Sequence, residues 1–120
     1  ITIPYKEPYT VRWEYRVAGN KYVRFVNDEP FVAASGIEIS AKNIVLIKTD
    51  ITIIDSVSRR RIKTHGSGEA LIFQDGKVIA GAWKKQNGFT RFHDAAGAEI
   101  VFNRGPVWVE VVSTNSDVTF

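Results

Sequence analysis

The residues of this 120-residue chain with the most chemical potential fall in two places. One is His65-Gly66-Ser67-Gly68-Glu69, and the other is His93-Asp94 with Glu99 close behind. A serine near histidines and carboxylates raises the question of nucleophilic hydrolysis. The spacing argues against it. A nucleophile elbow needs glycines two residues to either side of its serine, where Ser67 has His65 and Glu69. A phosphate loop needs the GxxxxGK[ST] spacing leading into a helix, and a dinucleotide fingerprint also needs a helix behind it. Neither is present. Ser67 with His65 or His93 and Asp94 makes a triad only in composition, since almost any chain of this length offers such a triplet. The two histidines stand far apart, and Asp50, Asp55 and Asp75 lack the spacing of a calcium loop. No metal and no cofactor is expected. What survives is a His/carboxylate site drawn from His93, Asp94, Glu99 and Glu69, placed near Trp83 and Trp108, which would serve acid–base hydrolysis.

Binding chemistry has its own candidates. Trp83 and Trp108, with Arg91 or Lys85 nearby, would stack a sugar or a peptide if both indoles faced solvent. The more common fate of tryptophan in a small β domain is the core. Arg59, Arg60, Arg61 and Lys63 form the one basic run. Such a run is usually a solvated strand edge, where charge also discourages edge-to-edge aggregation.

The composition narrows the field. The chain is 44% hydrophobic and 24% charged, which suits one domain with a single core. It has no cysteine, which removes disulfides, thiolate nucleophiles and cysteine-ligated metals. Sixteen basic residues against 13 acidic ones, with pI near 9.3, are too weak an excess to point to nucleic acid. No apolar run reaches membrane-spanning length, and no signal peptide opens the chain. With no methionine at all, the sequence reads as a piece of a longer polypeptide.

The elements that must position these residues are strands, because alternation dominates and helical periodicity is nearly absent. In TVRWEYRVAGNKYVRFV, a two-residue Gly19-Asn20 turn predicts Val17 opposite Tyr22, Tyr15 opposite Arg24 and Trp13 opposite Val26. Trp13, Tyr15 and Val17 would share one face, and Tyr15 with Arg24 would be a cross-strand pair that braces the sheet, the favoured reading over a cation–π stack. Residues 28–42 read as a turn, a short strand at FVAAS and one helical turn within GIEISAK. NIVLIKTDITIID is apolar on both faces over Ile44–Ile47, as a central strand is, with a bend expected near Thr49-Asp50.

The stretch GSGEALIFQDGKVIAGAWKK is a hairpin about Asp75-Gly76, a type I′ turn pair. Its register sets Ile72 against Ile79, Ala70 against Gly81 and Gly68 against Trp83. The last pair is aromatic rescue, an indole covering the backbone that a strand glycine exposes. Ala70 and Gly81 then leave a small-residue notch that a neighbouring strand, a bulky side chain or a ligand must fill. In FTRFHDAAGAEIVF a three-residue loop, with Gly97 in the left-handed position, sets Glu99 against His93 and Ile100 against Phe92. GPVWVEVVS and DVTF supply closing strands, with Trp108, Glu110 and Val112 on one face. The reading is a single all-β domain over residues 1–120: an antiparallel sandwich or partly open barrel of about eight strands built from successive hairpins, with minor helix.

Several of these stretches, in this order, carry a family resemblance: Tyr22-Val23-Arg24, Asn43-Ile44-Val45, Gly66-Ser67-Gly68-Glu69-Ala70, Asp75-Gly76-Lys77 followed by Trp83, and Gly105-Pro106-Val107-Trp108. From about Trp13 to Val112 the chain resembles the C-terminal domain of the YerB-like lipoproteins of Gram-positive bacteria, a domain of unknown function. The resemblance implies an exported protein, held at the outer face of the cytoplasmic membrane by an N-terminal lipidated cysteine, with another domain ahead of this one. It carries over no catalytic residue. The function expected is therefore a non-enzymatic binding or scaffolding domain of the cell envelope. Its expected partners are its own N-terminal domain, another envelope protein, or anionic cell-wall polymer reached through Arg59–Arg61 and Lys63. Homodimerisation through an edge strand is also expected. The competing expectation is a cell-wall glycan or peptide hydrolase using the His/carboxylate residues above. Single-stranded nucleic-acid binding is a third reading that export disfavours.

Overall fold

Two β-sheets pack face to face, and the chain steps from one to the other at Lys42. The structure is a computed structural model that describes residues 1–5, 9–49, 51–53, 60–62, 67–86, 88–114 and 116–120. Strands β1 (Thr2–Pro4), β2 (Thr10–Arg16), β3 (Lys21–Val26) and β4 (Glu29–Pro30) form the first sheet in that order, and β5 (Ser40–Ala41) also pairs with β3. β6 (Asn43–Thr49) begins the second sheet. β7 (Ile51–Ile53) and β8 (Arg60–Ile62) make a separate two-stranded ribbon. β9 (Ser67–Gln74), β10 (Lys77–Gln86), β11 (Phe89–Asp94) and β12 (Val107–Ser113) complete the second sheet, whose order is β11-β10-β9-β6-β12. The architecture is an all-β sandwich without a closed barrel, and the described residues contain no helix.

The Asp75-Gly76 hairpin has the expected register throughout, including Gly68 opposite Trp83 and Ala70 opposite Gly81. Asp75 and Gly76 both take positive φ, 56° and 70°, as a type I′ turn requires. The β11 hairpin also follows expectation. Gly97 has φ of 87°, His93 bridges Glu99, and Ile100 N donates to Phe92 O. Asp94 closes this loop by accepting from Ala96 N and Ala98 N, both at 2.9 Å.

Four expectations need correction. The first hairpin is shifted by two residues: Arg16 pairs with Lys21, Tyr15 with Tyr22 and Trp13 with Arg24. Val17 thus lies in a four-residue turn and is exposed, and Tyr15 does not face Arg24. The longer turn lets Asn20, at φ 47°, accept from the Tyr15 hydroxyl at 2.8 Å, a bond that the tighter turn would have forgone. Residues 31–35 contribute only an isolated bridge, from Val32 to Glu38. GIEISAK has no helical turn, because its last residues are drawn out against β3 at Ser40–Ala41. The second sheet is mixed, since β12 runs parallel to β6 instead of closing a hairpin with β11. The chain beyond β11 first crosses the sheet's outer face, which brings β12 in beside β6 from the opposite end. Asp50, at the expected bend, lies outside the described residues; β6 ends just before it, at Thr49.

That crossing explains why β6 is apolar on both sides. Between the sheets lie Ile3, Val11, Trp13, Tyr22, Ala41, Ile44, Leu46, Phe73 and Val112. On the outer face of the second sheet, Val45, Ala70, Ile72 and Trp83 are buried beneath Phe92, Ile100 and Phe102. The notch at Ala70 and Gly81 is filled from within the protein: a Cβ built on Gly81 would lie 2.0 Å from the His93 carbonyl oxygen of β11. A Cβ on Gly68 would meet the Trp83 indole nitrogen at 2.4 Å, so the expected rescue contact exists. Trp83 then donates to Lys48 O at 3.3 Å.

Gly81→Ala should cost about 3 kcal/mol, the upper end for overpacking, because the obstructing atom is backbone. Gly97→Ala should cost only about 1 kcal/mol, the penalty of left-handed φ, since nothing lies within 4 Å of its Cβ. Urea denaturation midpoints of the two variants check this order.

Candidate functional site

Inward-facing charges are the least expected feature of a β-sandwich seam. Arg24, on β3, and Glu110, on β12, both point between the sheets and are only 8% and 6% exposed. Each sits in an apolar strand whose alternation forces the side chain inward. Burying either ion alone would cost several kcal/mol. Together they meet: Arg24 Nε lies 3.4 Å from Glu110 Oε1. Trp13 Nε1 donates to the same oxygen at 3.2 Å, and the Tyr5 hydroxyl donates to Oε2 at 2.5 Å. Two groups of the first sheet, with Tyr5 just beyond the end of β1, thus converge on one carboxylate of the second. Aromatic rings enclose the guanidinium, with Phe31, Trp108 and Trp13 centroids 4.6, 5.0 and 5.9 Å from its central carbon. Trp13 and Trp108 meet edge to face at 5.4 Å. Burial first, and donation to Glu110 second, push the Tyr5 hydroxyl well above the usual phenol range.

A second polar cluster ties the sheets at one end. Asp75 Oδ1 accepts from Asn20 Nδ2 and Asn103 Nδ2, both at 2.8 Å. These two bonds, Asn20 first, hold its carboxyl below the usual range. Asn103 is in turn locked to Asn43 by two 3.0 Å bonds. Beside Asp75, Gly76 N donates to the Tyr22 hydroxyl at 3.1 Å, and a Cβ on Gly76 would strike the Tyr15 ring at 2.8 Å. Next to Gly76 lies a cavity of about 240 Å³ walled by Trp13, Tyr15, Tyr22, Phe73 and Phe120.

The residues singled out by sequence are not gathered at one place. Trp83 is 3% exposed and belongs to the outer cluster, whereas Trp108 is half-buried against Trp13 on the opposite face of the sheet. They form no common platform. Arg91 pairs with Glu99 at 3.1 Å across the exposed β11 hairpin, beside His93 and Asp94. Glu69, on β9, is exposed and paired with Ala82 of β10. Arg60 and Arg61 lie in β8, while Arg59, Lys63, His65 and Gly66 lie outside the described residues. No group of three metal-ligating side chains occurs among the described residues.

Sequence reasoning missed the Arg24–Glu110 pair, although a signal existed. Glu110 shares a face with Trp108 and Val112, and Arg24 shares one with Tyr22. Two opposite charges on two inward faces of one small domain have little choice but each other.

Fold and seam together define an all-β sandwich whose sheets are joined through a buried, aromatic-walled ion pair. The chain belongs to the family described as "Protein of unknown function (DUF3048) C-terminal domain", whose model matches residues 1–109. It is 33% identical over 79 residues to "Putative lipoprotein YerB" of Bacillus subtilis (strain 168), a match covering 65% of this chain and 23% of that protein. The crystal structure of YerB from Bacillus subtilis superposes with a TM-score of 0.79 at 28% identity, covering 87% of this chain and 36% of that one. The chain thus spans well under half the length of YerB.

The Tyr5 environment sets an alkaline prediction. A raised phenol favours the neutral form in the folded state, so its contribution is intact below the ordinary value of 10.0 and is lost as pH rises above it. Tyr5→Phe should therefore lose less stability than the parent between about pH 8 and about pH 11. Urea titrations at the two pH values measure this. An equal loss in both proteins would contradict it.

Proposed function

We propose that this chain is a non-enzymatic binding or scaffolding domain of a cell-envelope lipoprotein. The observation that carries the reading is that two of the candidate carboxylates, Asp94 and Glu99, and the two other carboxylates set in polar clusters, Glu110 and Asp75, already hold the fold together. Glu110 is neutralised by Arg24, Tyr5 and Trp13. Asp94 closes a loop, Glu99 is held by Arg91, and Asp75 anchors two asparagines. A carboxylate that serves as general acid or base must be free to exchange a proton with substrate in a cleft. The relative's name, "Putative lipoprotein YerB", supports a location at the outer face of the cytoplasmic membrane, with a lipid anchor elsewhere in the full-length protein. The domain would pack on its own N-terminal domain and contact another envelope protein or anionic wall polymer. Arg59, Arg60, Arg61 and Lys63 supply the charge for a salt-sensitive contact of the latter kind.

Cosedimentation with purified Gram-positive cell wall tests the reading. Binding should weaken steeply with salt, and changing Arg59, Arg60, Arg61 and Lys63 together to glutamine should reduce it by about tenfold or more. Undiminished binding by that variant would remove the polyanion contact. Release of soluble glycan or peptide fragments from the wall would instead favour the hydrolase, with His93, Asp94, Glu99 and Glu69 the residues to replace.

A further inference from the structure

The last strand of the second sheet is an open edge. Among the described residues β12 pairs with β6 alone. Its main-chain direction follows from the bonds at its two ends. Pro106 O accepts from Asn43 N at 3.2 Å, and Thr114 N donates to Thr49 O at 3.2 Å. Even-numbered residues therefore turn their N–H and C=O groups to β6, and Val107, Val109 and Val111 turn theirs to the open side. The same three valines carry their side chains on the outer face, where Val107 and Val109 are 42% and 46% exposed. Val45, the β6 neighbour of Val109, is fully buried in the outer cluster, so that cluster stops one strand short. Soluble proteins usually guard such an edge with lysine, proline or a bulge. Val107 to Val112 has no lysine and no proline, and its single charge, Glu110, points inward to Arg24.

We propose that β12 pairs antiparallel with β12 of a second copy of this chain, across a two-fold axis through Val109. The choice of occupant rests on self-complementarity. About Val109 the register sets Val109 against Val109 of the second copy and Val107 against Val111, all hydrogen-bonding positions. Six valines join into one strip that continues the cluster around Val45, Ile72 and Trp83. On the inner face Trp108 stands opposite Glu110 of the second copy, so no like charges oppose each other across the ladder. A two-fold contact requires that one patch complement itself, and the valines at 107, 109 and 111 meet that requirement, whereas a foreign strand would not call for it. The pairing turns two five-stranded sheets into one continuous sheet. It stands independently of the binding function proposed above. One strand pair buries less than a standard interface, so the association depends on concentration.

Sedimentation equilibrium of the domain, from about 1 μM to about 1 mM, tests this. The parent should pass from monomer to dimer over that range. Val109→Pro deletes only an N–H on the open side, and Val109→Lys places two like charges at the axis. Both leave the β6 ladder intact, and each should weaken dimerisation by about tenfold or more. Far-ultraviolet circular dichroism checks the fold of both, and the lysine variant decides if the proline variant unfolds. A parent that stays monomeric throughout would overturn the proposal, even if it takes up a foreign extended peptide at this edge. Variants that dimerise as tightly as the parent would overturn it as well.

Discussion

A carboxylate taken out of water needs a positive partner and a donor for each oxygen, and Glu110 obtains all of these from the opposite sheet. That requirement fixes how the two halves of the sandwich meet. Apolar contacts between sheets are tolerant of sliding, because one valine packs on another at several offsets. A carboxylate bound by Arg24, Trp13 and Tyr5 at once has a single satisfying position. The Arg24–Glu110 pair is therefore better understood as a register pin than as a source of stability. Burial of an ion pair commonly returns little net free energy. The aromatic walls around the guanidinium complete its environment where hydrogen-bond acceptors do not.

The second constraint acts on the other face. The chain after β11 covers the outer side of the second sheet, so β6 is buried on both sides and β12 can arrive only as its parallel neighbour. Glycine makes this geometry possible at Gly81, where the β11 backbone approaches closer than any side chain allows. Trp83 spends its indole on the same device at Gly68, which is why it is unavailable as a binding surface. What looked like an exposed ligand platform is structural on one side and half-buried on the other. The asymmetry of coverage also leaves β12 as the sheet's uncovered margin.

Much of this was legible in the sequence. Strong local turn chemistry carried the Asp75-Gly76 and Gly97 hairpins with their registers, because left-handed residues occupied the required positions. The first hairpin misled: Gly19-Asn20 is a good two-residue turn, but Tyr15 and Asn20 form a hydrogen bond only in the wider loop. Tertiary pairings were less accessible. Parallel pairing of β12 with β6 depends on a crossover of the intervening chain, and alternation within a strand carries no information about its neighbour's direction. The buried pair was visible as two inward charges, yet pairing them needs a separation of 86 residues in sequence to become 3.4 Å in space. Family membership came from the ordered set of turn and tryptophan motifs, and the match over residues 1–109 bears that out.

Arg24 and Glu110 satisfy each other across the two sheets. A double-mutant cycle with Arg24→Leu and Glu110→Leu, read by urea denaturation, measures this most directly. Each single change strands a buried charge and should cost about 3–5 kcal/mol. The double change removes both charges and should cost much less than the sum, giving a coupling of about 2 kcal/mol or more. Costs that add to within about 0.5 kcal/mol would show two independent residues, and would contradict the account.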